Sequence, residues 1–207
     1  MLSLLLTLAG AGAQAATITF SDVSSDSTPV SELDGTADFA VGDFDGGNAG
    51  DELQITLSNA GTGTFNIVEL YWNADASVTS LTLLSATHSA NGDVFGLWDP
   101  VATGQMADGF GVFDFSLTDG IGEMSPGIVM PGQDVVFILD IGGTGPFDMN
   151  DFIQANGMGF IGAAKFTNGP PVDDSAFGAV VPEPGTFSLL AGGLALLAAS
   201  RLRRRSR

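Results

Sequence analysis

Short segments in which apolar and polar residues alternate are the feature that most limits how this chain can fold. Residues 52–58 place Leu53, Ile55 and Leu57 on one face of a strand and polar residues on the other. Similar segments, separated by turn-forming Gly, Asn and Asp, lie at 17–20, 65–72, 78–85, 113–117, 134–141 and 158–167. The body has no long helical period, and a single helical turn is predicted at 150–155, capped by Asp148 or Asn150.

Strands with one apolar face must pack that face against another sheet. An antiparallel β-sandwich, jelly-roll or immunoglobulin-like, is therefore the expected architecture, with a closed barrel as the alternative. The 207 residues, less two hydrophobic ends, fit one domain, which we place at residues 16–180. The chain's 15 Phe residues and 44% hydrophobic content provide a core, and since there is no Cys, disulfides and thiol chemistry are excluded.

Charge is distributed very unevenly along the chain. It has 24 acidic residues and six basic ones, and Lys165 is the only basic residue before the C-terminal arginines. Such a body repels a phosphate backbone, so nucleic acid is excluded as a partner. The acidity is typical of a secreted protein that stays soluble and monomeric, and a specific cation-binding role is the alternative.

The N-terminal residues 1–15 resemble a signal peptide. An apolar run of Leu is followed by small residues and by Ala13-Gln14-Ala15, which predicts cleavage after Ala15 by signal peptidase. No basic residue precedes the apolar run, which indicates a translation start upstream of Met1.

The C-terminal residues 181–207 contain three elements in a fixed order. Pro182 and Pro184 flank Glu183 and keep that segment extended. Residues 185–200 carry no charge, and as a helix they would span about 24 Å, close to the hydrocarbon thickness of a bilayer. A basic cluster follows and should stay in the cytoplasm, leaving the acidic body outside; it comprises Arg201, Arg203, Arg204, Arg205 and Arg207.

This order of motif, apolar helix and arginine cluster resembles the PEP-CTERM sorting signal. The resemblance covers only residues 181–207. It implies recognition by an exosortase, a membrane peptidase of Gram-negative bacteria that cuts near Pro182-Glu183-Pro184. The precursor would be anchored transiently in the inner membrane, and the mature body would reach the cell surface or extracellular matrix. An ordinary membrane anchor that is never cut is the alternative.

Residues 43–52 form a Gly-rich acidic segment that could bind Ca²⁺. Its oxygen ligands would come from Asp43, Asp45, Asn48, Asp51 and Glu52. The spacing is not that of an EF-hand, and a solvated turn has the same composition. Asp148, Asn150 and Asp151 form a weaker second cluster.

Catalytic and sugar-binding residues are harder to find. His88 is the only His, no nucleophile motif accompanies it, and we interpret it as a surface or turn residue. Tyr71, Trp72 and Trp98 could stack on sugar rings, but Tyr71 and Trp72 should point to opposite faces, and core packing is the favoured interpretation.

The expected function follows from the resemblance to PEP-CTERM proteins, which are sorted together with exopolysaccharide. We expect a non-enzymatic surface or extracellular-matrix protein, associated with exopolysaccharide. A polysaccharide-binding module is the second hypothesis and a secreted hydrolase the third.

Overall fold

The protein is all-β in the computed structural model, which describes residues 15–21, 33–44, 52–121, 125–167 and 175–180. Short 3-10 helices occupy Phe95–Leu97 and Met149–Phe152. The strands of these described ranges are β1 (Ala15–Ser21), β2 (Asp34–Gly42), β3 (Glu52–Asn59), β4 (Asn66–Trp72), β5 (Val78–His88), β6 (Gly92–Asp93), β7 (Ala102–Ala107), β8 (Gly111–Thr118), β9 (Asp134–Gly143), β10 (Gly162–Thr167) and β11 (Ser175–Val180).

The strands form two antiparallel sheets that pack face to face, so the predicted β-sandwich is confirmed. One sheet has six strands in the order β1-β2-β3-β9-β5-β6, and the other has five in the order β11-β10-β4-β8-β7. Consecutive strands often lie in different sheets, as β3, β4 and β5 do. Residues from distant parts of the sequence therefore meet between the sheets.

Alternation of side chains explains why the six-stranded sheet buries one face. Gly35, Ala37, Phe39 and Val41 of β2 are buried, and Asp34 and Asp38 are exposed. The central strands β3 and β9 follow the same rule and pair in register, with Ile55 opposite Phe137. Their buried side chains form the main core together with residues of the second sheet, among them Trp72, Phe115 and Phe166.

A second apolar cluster lies on the opposite side of the five-stranded sheet. Tyr71 belongs to this cluster whereas its neighbour Trp72 belongs to the main core, as expected for adjacent residues of a strand. Phe110 from the β7–β8 turn belongs to it too, and Phe160 from the loop before β10 packs against it. Strands β4, β10 and β11 are therefore buried on both faces, and their sequences do not alternate.

The first and last strands lie side by side where the two sheets meet. A Cβ atom on Gly178 would be 3.1 Å from Cβ of Phe20, and one on Gly162, which pairs with Val180, would be 3.5 Å from Cδ1 of Ile18. Residue 18 is thus close to the end of β11, and residue 20 is close to its middle. The start of β1 and the end of β11 are at the same end of the sandwich.

The predicted strands correspond to β1, β3, β4, β5, β8, β9 and β10. The prediction at 158–167 was too long, because residues 158–161 form a turn and β10 begins at Gly162. Strands β2, β6, β7 and β11 were not predicted. The helical turn is present but spans Met149–Phe152, so it begins one residue earlier and ends three residues earlier than predicted.

Candidate functional site

The predicted calcium segment is described at its two ends only. Asp43 is exposed at the end of β2, and Glu52 is 4% exposed at the start of β3. The backbone N–H of Phe44 donates a hydrogen bond to Oε2 of Glu52, which closes the base of the loop. Asp45, Asn48 and Asp51 lie outside the described residues, and calcium binding here stays a prediction. In the described ranges, no group of three or more Asp, Glu, His or Cys could hold a metal.

The second acidic cluster caps a helix. Oδ1 of Asp148 accepts a hydrogen bond of 2.7 Å from the N–H of Asn150, and Oδ2 of Asp151 accepts one of 2.7 Å from the N–H of Asp148. This reciprocal capping box satisfies backbone donors at the start of the 3-10 helix. The predicted cap at Asp148 is confirmed, and local structure accounts for both carboxylates.

His88 is buried, with 1% of its surface exposed, and it ends β5 where the β5–β6 turn begins. The prediction of a surface or turn residue is therefore wrong for the surface and confirmed for the turn. Its Nδ1 accepts hydrogen bonds from the N–H groups of Ala90 and Asn91, and its Nε2 lies 3.1 Å from the carbonyl oxygen of Ile128. The ring is therefore the Nε2–H tautomer, which donates to Ile128. Both nitrogens hold the β5–β6 turn against the loop before β9, and neither is presented to solvent.

The three candidate sugar-stacking aromatics are all buried, which confirms the interpretation as core residues. Exposure is 6% for Tyr71, 0% for Trp72 and 4% for Trp98. Trp72 stacks on Phe115 at 5.9 Å, and Trp98 meets Phe137 edge-on at 4.7 Å. None of them offers a ring face to a sugar.

Three buried or half-buried asparagines hold loops to strands, and the sequence did not single them out. Asn59 donates to the carbonyls of Phe65 and Val129. Asn73 donates to the carbonyls of residues 154, 160 and 161 and accepts from the N–H of Asp114. Asn156 joins the β7–β8 turn to the loop before β10 through Phe110 and Phe160. Asn59 ends β3, Asn73 follows β4 and Asn156 lies in a loop, and an Asn in such positions is a weak signal because most are solvated turn formers.

The single Lys of the body belongs to a polar cluster on the five-stranded sheet. Nζ of Lys165 lies 2.9 Å from Oε1 of Glu69, and the hydroxyl of Tyr71 donates a hydrogen bond to Oε2 of the same carboxylate. Burial, and then the hydrogen bond and negative charge of Glu69, raise the pKa of Tyr71 well above its usual range. The cluster is a cross-strand contact between β4 and β10.

A groove runs along the side of the sandwich where β7 ends the five-stranded sheet and where β6 leaves most of β5 uncovered in the six-stranded sheet. It contains two pockets of about 390 Å³ each. The first is mainly apolar and is lined by Leu81, Leu83, Phe95, Trp98 and Val101, among others. The second is lined by Asp75, Val78, Thr79, Thr103 and Asp114, among others. The two pockets are lined by neighbouring parts of the same two segments, residues 78–83 of β5 and residues 100–104.

The residues predicted to direct sorting are at the edges of the described part or outside it. Ala15 is the first residue of β1, paired with Ala40. Ala13, Pro182, Glu183, Pro184 and the five C-terminal arginines lie outside the described residues, as does the apolar segment 185–200. Within the described ranges, no helix is long and apolar enough to cross a bilayer.

The fold and this geometry define an antiparallel β-sandwich of two sheets with a groove on one side. Comparison with known protein families, curated proteins and solved structures finds no match to the chain.

Proposed function

We propose that the chain is the precursor of an exported surface protein of a Gram-negative bacterium, with a PEP-CTERM sorting signal at residues 181–207. The observation that carries this proposal is the order of Pro182-Glu183-Pro184, an uncharged apolar segment and an arginine cluster directly after β11. Signal peptidase and an exosortase would process the two ends. The body would be a non-enzymatic component of the cell surface or extracellular matrix, associated with exopolysaccharide.

The placement of β1 and β11 supports this proposal. The start of β1 and the end of β11 lie at the same end of the sandwich, so segments 1–14 and 181–207 both join the body there. Both segments could therefore insert into the same membrane without any connecting segment that runs along the length of the sandwich. The rest of the body would face away from the membrane.

For the finer fold we propose the jelly-roll arrangement over the immunoglobulin-like one. In its favour, β3, β4, β5 and β7 alternate between the two sheets, and β8 and β9 return beside β4 and β3. This interleaving of strands that alternate between sheets is typical of jelly rolls.

A non-enzymatic body is favoured by the position of the only His. Both ring nitrogens of His88 are bonded to the backbone, so this ring cannot serve as a general base without breaking those bonds. The burial of Tyr71, Trp72 and Trp98 removes the platform on which the sugar-binding hypothesis rested.

The test is the mass of the protein recovered from a Gram-negative host with its exosortase gene intact or deleted. We expect residues 16–207 in membranes of the deletion strain and a product ending near residues 182–184 in the intact strain. A Pro182→Ala, Pro184→Ala variant should behave as in the deletion strain. Recovery of the same long product from both strains would support an uncut anchor, and intact chain in the cytosol would refute export.

Association with exopolysaccharide is tested separately from sorting. We expect the processed body to co-sediment with extracellular matrix from the intact strain and to be released when the polysaccharide is digested. Trp98 is unsuitable as a probe of this association, because its burial means that Trp98→Ala would damage the core. A body that stays in the supernatant would contradict the matrix role.

A further inference from the structure

The groove between β5 and β7 has free strand edges on both sides. Strand β7 is the last strand of the five-stranded sheet, and in the described part of the chain nothing pairs with its outer edge. Strand β6 covers β5 only at Thr87 and His88. Residues 78–85 of β5 thus have no partner strand on the groove side among the described residues. Free edges expose backbone N–H and C=O groups that can pair with an added strand.

Strand β7 lacks the charged residues and prolines that often protect an edge, and its backbone departs from the extended form at Gly104, where φ is 64°. Its residues are Ala102, Thr103, Gly104, Gln105, Met106 and Ala107, without charge or proline. Met106 is 67% exposed and lies opposite Val112 of β8, which is 53% exposed. The opposite side of the sandwich is different, because there β1 and β11 lie against each other. The groove side is the one open to another chain.

The apolar pocket suits an aliphatic side chain. Leu81, Leu83 and Trp98 are each less than 9% exposed and form its buried wall. Phe95, which is 44% exposed, stands at the rim. An aliphatic side chain inserted there would be removed from water and would cover part of the Phe95 ring. Each CH₂ group buried in this way favours binding by about 0.8 kcal/mol.

The second pocket suits a cation. Oδ2 of Asp114 accepts a hydrogen bond of 3.1 Å from the N–H of Ala74, and Oδ1 of Asp75 accepts one of 2.9 Å from the N–H of Ser77. These bonds fix both carboxylates, and the bond from Ser77 lowers the pKa of Asp75. No basic residue lines the pocket. The pocket is complementary to a Lys or Arg side chain.

We propose that this groove binds an extended peptide strand, with an aliphatic side chain in the Leu81–Leu83 pocket and a Lys or Arg side chain near Asp75 and Asp114. Leu83 and Thr79 are four residues apart on β5, about 13 Å in an extended strand, and a bulge lies between Val78 and Ser80. A ligand that reaches both pockets therefore carries its two anchoring side chains about four positions apart. A sugar chain fits less well, because Phe95 is the only exposed aromatic ring among the groove residues. This proposal is independent of sorting.

The test measures binding of fluorescein-labelled nonapeptides to the full chain in phosphatidylcholine nanodiscs, by fluorescence polarisation. The probes are TVLTVTKTV and the reversed order VTKTVTLVT, which cover both strand directions. We expect at least one probe to bind, and to bind at least tenfold more weakly when its Lys is replaced by Glu or when salt is raised from 50 to 500 mM.

The decisive variant is Asp75→Asn with Asp114→Asn, since Asn keeps an oxygen for the backbone hydrogen bonds. It should weaken binding of the Lys probe at least tenfold and leave binding of a Lys→Gln probe unchanged. The matched control is Asp34→Asn with Asp38→Asn, on the exposed face of β2, which removes the same charge. Equal weakening by both double variants would overturn the proposal, because it would indicate attraction by net charge alone.

Other occupants of the groove would also be detected. Binding of cellohexaose in place of both peptides would identify a sugar site and overturn the proposal. A concentration-dependent dimer, measured by light scattering, that excludes the peptide would identify a second copy of the chain as the occupant, with the same consequence. Phe95→Ser should weaken every probe that carries Leu, and an unchanged affinity there would overturn the assignment of the apolar pocket.

Discussion

Replacing Asn59 by Asp tests whether asparagine side chains hold the loops of this sandwich. Asn59 ends β3 and is 2% exposed. Its Nδ2 donates hydrogen bonds of 2.8 Å to the carbonyl of Phe65 and 2.9 Å to that of Val129, and its Oδ1 accepts one of 3.1 Å from the N–H of Gly61. The substitution keeps size and shape, and it replaces the donor group by an oxygen that faces two carbonyl oxygens.

The expected loss follows from those two carbonyls. The carbonyl of Phe65 loses its donor, and a buried acceptor left without a donor costs about 1–3 kcal/mol. The carbonyl of Val129 keeps the bond from the N–H of Ile67, so its loss is that of one hydrogen bond, about 1 kcal/mol. Together they give a loss of about 3 kcal/mol in the free energy of unfolding, a large fraction of the ~5–15 kcal/mol typical of a domain. With a urea m-value of about 2 kcal/mol/M, the midpoint should fall by about 1.5 M. At low pH the protonated carboxyl group can donate one bond, so the loss should shrink.

The assay is urea unfolding of residues 16–180, followed by tryptophan fluorescence at pH 7 and pH 4. The matched control is Asn91→Asp, which makes the same chemical change at an exposed amide with a single carbonyl partner, that of Pro126. We expect a control loss of about 1 kcal/mol or less. A loss at position 59 no larger than this, or one that does not depend on pH, would refute the assignment of Asn59 as a buried double donor.

Four further predictions concern single sites. Tyr71 has a higher pKa in the folded state than the unfolded value of 10.0, so the native state loses stability as the pH rises above 10. Tyr71→Phe should therefore make Tm fall less steeply above pH 10, and an unchanged dependence of Tm on pH there would contradict this. Gly143→Ala should lower Tm by at least 10 °C, since φ is 150° and a Cβ would overlap the carbonyl oxygen of Ser77. Asp148→Ala should cost about 1 kcal/mol in urea unfolding through the lost cap. Millimolar Ca²⁺ should raise Tm, and Asp45→Asn should remove that rise; no shift would contradict the calcium prediction.

Strand β3 could be predicted because its alternation survives in the fold, with Gln54, Thr56 and Ser58 on the outer face. Its neighbour β9 has Val136 and Ile138 on that face, so its β-branched residues, more than alternation, mark it as a strand. Strands β2 and β11 were missed because Gly and Ala occupy buried positions there. A Cβ on Gly35 would lie 3.0 Å from Cδ1 of Ile67, so this position needs a small residue and gives no hydrophobic signal. Where two sheets pack closely, the buried strand positions need Gly or Ala, and in a sequence these residues are typical of turns.

The second apolar cluster could not be predicted from alternation at all. It exists because Phe110 and Phe160, from two different loops, contact the outer face of the five-stranded sheet. The same long-range assembly buries His88, whose partner Ile128 is 40 residues away. Stacking of sugar rings on Tyr71 or Trp98 could not be decided from the sequence, because the sequence does not reveal which residues cover a side chain. The groove is likewise assembled from segments 74–83 and 95–115.

The two predicted processing sites lie at the outer ends of β1 and β11, and this has a consequence for the mature protein. Cleavage after Ala15 would remove only one residue of β1 and leave Ala16 paired with Phe39. Cleavage near Pro182-Glu183-Pro184 would leave β11 intact to Val180, paired with Gly162. Both core clusters and the groove belong to residues between these limits. Processing should therefore leave the unfolding free energy of the body nearly unchanged, and a processed form much less stable than the precursor would place at least one cleavage further inside β1 or β11.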